Sequence, residues 1–431
     1  MAIEDDVLVV GGGLAGATAA LAAARTGVRV RLVSYKKSTL RQASGLVDVL
    51  GYAPDGTGPL VDPFEAIDAL PSTHPYRLAG TDALGRGLAL FDEVAGDAYR
   101  GDHTDANALV PTTGGAVKPT ARYPATVEPG LASDDRDALL VGFDGTTDFD
   151  APLAAAHLGR AGVPFDVRGA TVTFPGVAAA DATATRFAQV LDADEGGARA
   201  VLADRVRTHL DGERRVGLPA VLGETDPEGV RGALEEALGV AVFEIPTGPP
   251  SVPGVRLEAL FSAALSAAGV RVETGNPVVD FEGAGDRIDR AFVDRSGSAV
   301  PYRADQYVLA TGGLVGGGID SDREGVVEPV FDCHVPHPTD RYDWFEDDAF
   351  GDHAFARFGV VVDETMRPLD RRGHPEWANL RAAGAVVGGA DAAAEKSASG
   401  ISLATGYRAG RLAASGVGAG ELTRTECGHT R

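Results

Sequence analysis

Cysteine is nearly absent from this chain. Its two residues, Cys333 and Cys427, are far apart, so they make neither a disulfide framework, an iron–sulfur site nor a Cys-x-x-Cys centre. Electrons that pass through the protein must therefore travel on a bound cofactor. Long apolar runs are also missing. The longest candidate, from Ala15 to Ala24, is closed by Arg25 and falls well short of the roughly 18 residues a membrane span needs. The opening residues are acidic where a secretory signal would be basic, and the expected location is the cytoplasm. Lysine is scarce: Lys36, Lys37, Lys118 and Lys396 are the whole set. Basic residues number 39 against 62 acidic ones, a formal charge of -23. Such a surface repels nucleic-acid phosphates. It also strains the fold by self-repulsion unless salt shortens the Debye length, to about 3 Å near 1 M. The composition fits a salty cytoplasm and says nothing about chemistry.

Hydrophobic residues make up 44% of 431, enough for two or three cores at roughly 150 residues per domain. Glycine is abundant, with 57 residues against a usual share of roughly 7%. Asp6–Val10 reads as a buried strand, Gly11–Gly16 as a tight turn, Ala17–Thr26 as a small-residue helix ended by Gly27, and Val28–Val33 as a second strand. This is a βαβ unit. From Tyr35 to about Ala89 prolines punctuate the chain, and loops and short helices are expected. A second α/β rhythm follows: strands at Ala138–Phe143, Phe165–Phe174 and Val240–Ile245, helices at Asp150–Arg160 and Glu228–Leu238. After it come a helix from Val255 to Ala268, strands from Val270 to Ala310, and a closing helix from Gly400 to Ala413. The expected fold is α/β: a Rossmann-type, two-dinucleotide-fold flavoprotein with an inserted α/β cap domain. Residues 1–89 and 251–431 would form the flavin-binding domain, and residues 90–250 the cap.

Gly11, Gly13 and Gly16 form G-x-G-x-x-G between strand and helix. The first permits the tight turn, the second lets backbone approach a phosphate, and the third lets helix pack on strand; the helix N-terminus, with Leu14 and Ala15, then faces negative charge. The acid usually found about 20 residues on, which holds an adenosine ribose, is missing; the second strand ends in Ser34-Tyr35-Lys36-Lys37. That speaks against ordinary NAD binding and is compatible with FMN. Ser34 could still hydrogen-bond a ribose, which leaves FAD open. Thr311 and Gly312 sit at a later strand end. Gly384, Gly388, Gly389, Gly400 and Ile401 resemble a third flavoprotein turn, in which a helix N-terminus faces the ring and favours its anionic reduced form. Arg41–Asp48, with the small residues Ser44 and Gly45, occupies the place of a loop laid along the ring. No histidine lies near it, which argues against a covalent histidyl link.

Further segments carry a resemblance over residues 5 to 415: Ser44–Asp48, His74-Pro75-Tyr76, Val141–Phe149, Pro246–Leu257, Gly325–Pro329 and Phe358–Pro368. Through these the chain resembles the B-subunit family of the anaerobic glycerol-3-phosphate dehydrogenase. The resemblance implies a flavin, FMN in that family, in a chain that takes part in oxidising glycerol 3-phosphate to dihydroxyacetone phosphate. It also implies as partners a catalytic FAD subunit and an iron–sulfur subunit that passes electrons to quinone, with the membrane reached only through a partner, at its inner face. The closing loop, Glu395–Gly400, departs from this pattern in being less glycine-rich than expected. Catalytic residues are not assigned. Lys118, in a loop able to cover the flavin, and Arg256 and Arg367, each able to clamp a phosphate, are the candidates; the two arginines read more simply as ion-pair partners. His334, His337 and His353 lack ligand spacing on one helix face. The rival readings are a stand-alone flavin oxidoreductase of the succinate or fumarate type and a scaffold without cofactor.

Overall fold

A computed structural model describes residues 2–36, 39–248 and 251–418. Lys37, Cys427 and the Pro249-Pro250 pair lie outside the described residues. The first strand, β1 (Ile3–Val10), leads into α1 (Leu14–Ala24) and then β2 (Val30–Ser34). Helix α2 (Thr81–Ala95) precedes the cap, and α3 (Val252–Ala267) follows it. The chain then lays down β3 (Arg271–Thr274), β4 (Val278–Ala284), β5 (Arg287–Arg295), β6 (Ser298–Leu309) and β7 (Leu380–Ala382) before closing in α4 (Ala398–Ser415). These strands build one seven-stranded sheet in the order β3-β2-β1-β6-β5-β4, with β7 also paired to β6. The pairings of β3 with β2, β2 with β1, β1 with β6 and β6 with β7 are parallel, while β4–β5–β6 is an antiparallel meander. Apolar side chains of β1 and β2 are buried on both faces, as a parallel sheet covered by helices requires. In open sheets of this kind ligands sit beyond the carboxyl ends of the strands, and here β1, β2 and β6 all end at the same edge.

The cap has its own four-stranded parallel sheet, in the order Ala241–Ile245, Arg215–Pro219, Ala138–Phe143, Val167–Val172. One face packs a core around Phe143, Phe174 and Phe187, and the other packs Leu140, Leu158 and Phe243. Helices Ala184–Ala193 and Ala198–Arg207 belong to this layer and were not expected from the sequence. The division expected at residue 90 falls inside α2. Two glycines in that helix, Gly85 and Gly87, lower its intrinsic propensity, yet Gly87 has a packing reason: a Cβ there would stand 2.6 Å from the Leu403 carbonyl oxygen. The Phe91 and Leu88 side of α2 is buried in the main core.

Helix α4 lies against α1 at glycine contact. A Cβ on Gly406 would meet the Ala15 oxygen at 2.6 Å, and one on Gly410 would meet the Ala19 oxygen at 2.2 Å. The small residues of α1 at this contact, Ala15 and Ala19, thus let the two helices approach backbone to backbone, which fixes both their N-termini at the strand ends. Gly410→Ala should cost about 1–3 kcal/mol by overpacking, read as a lowered denaturant midpoint at fixed salt. An unchanged midpoint would mean the two helices are not held at this distance.

Candidate active site: a cleft between two uncapped helix ends

Gly11 makes the turn out of β1 with φ 120°. A Cβ on it would overlap the Ala310 carbonyl at 2.0 Å, so only glycine lets β1 and β6 end side by side. Gly16 repeats the demand one turn on, against the Gly11 oxygen at 2.0 Å. Gly13 is the N-cap of α1, and the helix has neither a side-chain cap nor an acid in its first turn. Its leading amides are therefore left for an external acceptor.

Helix α4 likewise has no side-chain cap and no acid in its first turn, although its Gly400 amide is already met by the Asp48 carbonyl at 2.7 Å. Asp62, Asp150, Thr183, Asp226 and Ser251 each cap the helix they precede, but the N-cap of α4, Ser397, does not. Its hydroxyl donates to Glu395 Oε2 at 3.0 Å instead. Glu395 also accepts from His74, 3.1 Å away, and all three side chains are buried. The His74 Nδ1 accepts from the Tyr76 amide at 3.2 Å, which places the imidazole proton on Nε2, toward Glu395. Tyr76 is held between the Val49 and Ser397 carbonyls. This network was missed in the sequence, where His74-Pro75-Tyr76 carried a resemblance but no role. The available signal was a proline directly after a histidine, which marks the histidine as a helix N-cap.

Both helix ends open onto one cleft of about 820 Å³, within the range of small-molecule and cofactor sites. Gly11, Gly13, Leu14, Ala15, Ser34, Thr311, Gly312, Gly384 and Ile401 line it. The buried Thr311 hydroxyl has no partner in the protein. From the phosphate mouth the cleft continues past Ser34 and Lys36 to Asn276, Pro277 and Val278. Ser34 donates its hydroxyl to the Lys36 carbonyl at 2.8 Å, leaving its oxygen able to accept. The charged side chains lining the cleft, among the described residues, are Lys36 and Asp391. Two helix N-termini without side-chain caps and a cleft of mainly apolar lining fit a flavin nucleotide.

Other expected contacts lie behind the wall. The Cβ position of Gly45 is filled by Pro253, that of Gly388 by backbone of Arg357 and Gly359, that of Gly389 by the Thr73 carbonyl, and that of Gly400 by Tyr76 and Val49. Ser44 accepts from the Leu46 amide at 3.4 Å. These residues, like Gly16, shape the cleft without lining it. Segment 46–52 is strapped to segment 395–400 by backbone bonds from Gly51 to Glu395 and from Gly400 to Asp48, so the loop expected along the ring supports the first turn of α4.

Lys118 lies in a short strand, Val117–Thr120, rather than a loop, and pairs with Asp48 at 2.5 Å. Burial pushes the Asp48 carboxyl up, and Lys118 opposes this. Arg256 forms a two-pronged pair with Glu244 at 2.7 and 2.9 Å and donates to the Gly223 carbonyl. Burial alone would raise Glu244, but Arg256 and its other hydrogen-bonded neighbours hold it below the usual carboxylate range. Arg367 pairs with Asp363 at 2.8 Å. The Asp363 carboxylate also collects the Thr365 and Arg367 amides and the Thr365 hydroxyl; the distinctive Asp-Glu-Thr-Met-Arg-Pro stretch is a turn organised on one acid. Both arginines are thus consumed as ion-pair partners. Among the described residues no group of three or more His, Cys, Asp or Glu is placed to hold a metal; His337 and His353 bond to loop backbone. No helix of the described residues is long and apolar enough to cross a membrane.

A family model described as FAD binding domain matches residues 6–401. The chain is 60% identical, over 97% of its length and 99% of the relative's, to the probable anaerobic glycerol-3-phosphate dehydrogenase B subunit of Halobacterium salinarum. It is 31% identical to the anaerobic glycerol-3-phosphate dehydrogenase B subunit of Pectobacterium carotovorum, over 92% of this chain and 96% of that one. The chain belongs to this B-subunit family. Membership does not assign the buried charges. Arg256→Met strands Glu244 in the junction between α3 and the cap sheet, and should cost about 3–5 kcal/mol of stability. Thermal and chemical unfolding would show this, while the folded fraction keeps its flavin affinity. Loss of flavin without loss of stability would instead make Arg256 a ligand residue.

Proposed function

We propose that this chain is the flavoprotein subunit of a glycerol-3-phosphate dehydrogenase and that it holds FAD along the cleft between α1 and α4. The observation that carries this reading is that the two long helices opening on the cleft both lack side-chain caps. The Gly13–Ala15 amides would take the phosphates, and the first turn of α4 would face the ring. The section from Ser34 to Val278 gives an adenosine half its room, which FMN would leave to water. Ser34 would accept from the ribose in place of the usual acid. The bound flavin would supply a two-electron carrier within a dehydrogenase in which glycerol 3-phosphate loses two electrons and two protons to become dihydroxyacetone phosphate.

The chain's own residues favour relay over direct oxidation. A phosphate dianion is recognised best by clustered charged donors, and among the described residues lining the cleft Lys36 is the one cation, with no arginine or histidine. Arg256, Arg367 and Lys118 are already paired. In this reading a sibling subunit, the catalytic one of the family, meets glycerol 3-phosphate, an iron–sulfur subunit carries electrons toward quinone, and this chain reaches the inner face of the membrane through them. What the residues here do is bind the flavin, orient it between two helix ends, and surround its ring with small apolar side chains that exclude water.

One preparation tests both parts. The cofactor released from purified protein in high salt should have the mass of FAD. Anaerobic glycerol 3-phosphate should leave the chain's flavin oxidised when the chain is alone and bleach it in the assembled dehydrogenase. FMN would overturn the cofactor assignment, bleaching of the isolated chain would make this subunit the oxidising one, and a colourless chain would refute the flavoprotein reading.

A further inference from the structure

Large aromatic side chains are seldom exposed in this acidic protein. Among the described residues the exposed ones are Tyr35, Tyr342, Phe345, Phe350 and Phe355. Four of the five lie on one short stretch, and Phe350 is 98% exposed. Exposed apolar patches of this kind mark interaction surfaces.

The stretch is built to present them. Asp340 caps a turn over Arg341–Trp344 by accepting from the Tyr342 amide. Trp344 packs edge-on to His337 and Phe358 and donates its indole N–H to the Pro338 carbonyl at 2.8 Å. The ring of His353 accepts from the Glu346 amide at 3.0 Å, lies 3.2 Å from the Ala349 carbonyl and stacks on Phe355. Arg357 pairs with Asp352. A platform held inward by Trp344 and Phe358, with aromatic rings facing outward, is pre-organised; its rings can bind without first losing the freedom of a loose loop.

Its position says what covers it. Phe355 and Ala356 belong both to the platform and to the lining of the cleft, and the fully exposed Val315 lines the same cleft. A protein seated here reaches the cleft mouth. Between residues 340 and 357 six carboxylates stand against Arg341 and Arg357, so the complementary surface is apolar at its centre and basic at its rim. In concentrated salt such charges act only at contact, where they set register more than affinity. A second copy docking through the same platform would set these six carboxylates against their own kind at contact.

We propose that the 340–358 platform is the docking surface for a sibling redox subunit of the same dehydrogenase, one that presents an apolar pocket rimmed by arginine or lysine and so brings its redox centre to the mouth of the flavin cleft. The proposal rests on the flavoprotein-subunit reading above. It is tested with the full chain and its separately purified sibling subunits in high-salt buffer. The double variant Tyr342→Ser/Phe350→Ser should weaken binding to the sibling on the order of tenfold or more, with flavin content, melting temperature and the oligomeric state of the chain alone unchanged. Hydrogen exchange in the wild-type complex should slow across 341–357. Unchanged affinity together with unprotected exchange there overturns the proposal. So does a variant that alters only self-association, or only binding to vesicles of anionic lipid. A wild-type chain that assembles normally but carries no flavin would fail the functional reading while leaving the docking surface standing.

Discussion

A helix that begins without a side-chain cap leaves its first amides unbonded and its positive end unanswered. In this protein two helix ends without side-chain caps are aimed into one cleft, with the Gly400 amide of α4 met from within, by the Asp48 carbonyl, and much of the architecture serves to keep them there. Glycines at 406 and 410 bring α4 onto α1 at backbone contact. Gly11 and Gly16 let the first helix start flush with the ends of β1 and β6. The buried pair of His74 and Glu395 takes the Ser397 hydroxyl that would otherwise cap α4. An enclosed polar network of this sort is costly unless every member is satisfied, and here each member has a partner.

The parts legible from sequence were those whose physics is local. A buried strand followed by G-x-G-x-x-G and a small-residue helix needs only its own letters to be read, and Gly11, Gly13, Leu14 and Ala15 do line the cleft. Cap strands such as Ala138–Phe143 were equally plain, being short apolar runs between turns. Helix α2 was not, because Gly85 and Gly87 look like loop residues until the helix that crosses Gly87 is known. Gly388, Gly389 and Gly400 invited a ligand role for the same reason: a glycine reports that something comes close, and sequence does not say whether that is a cofactor, a carbonyl or Tyr76.

For charged residues the kind of role was legible, an ion pair for Arg256 and Arg367, but not the partner. Arg256 and Arg367 stand in distinctive segments and have the chemistry to hold a phosphate, but each is used up by a carboxylate, Glu244 lying twelve positions before one and Asp363 four before the other. The Arg256 pair crosses a domain junction and has no periodicity to betray it, whereas the Arg367 pair sits within a single turn. The acidic excess, by contrast, was evident at once and explains why four outward-facing aromatics on a single stretch stand apart from the rest of the surface.

The central claim is that the open end of α1 is kept for a phosphate. Gly13→Asp tests it most directly, because the backbone there, at φ -79° and ψ -174°, accepts an aspartate, and a Cβ would meet only the Thr39 hydroxyl, at 3.1 Å. An aspartate at an N-cap stabilises a helix by a few tenths of a kcal/mol relative to glycine, yet its carboxylate would occupy and repel the phosphate position. The account expects apo protein that melts no lower than the parent and a flavin dissociation constant raised on the order of a hundredfold, about 2.7 kcal/mol. Flavin binding as tight as the parent's, in equally stable protein, would contradict it.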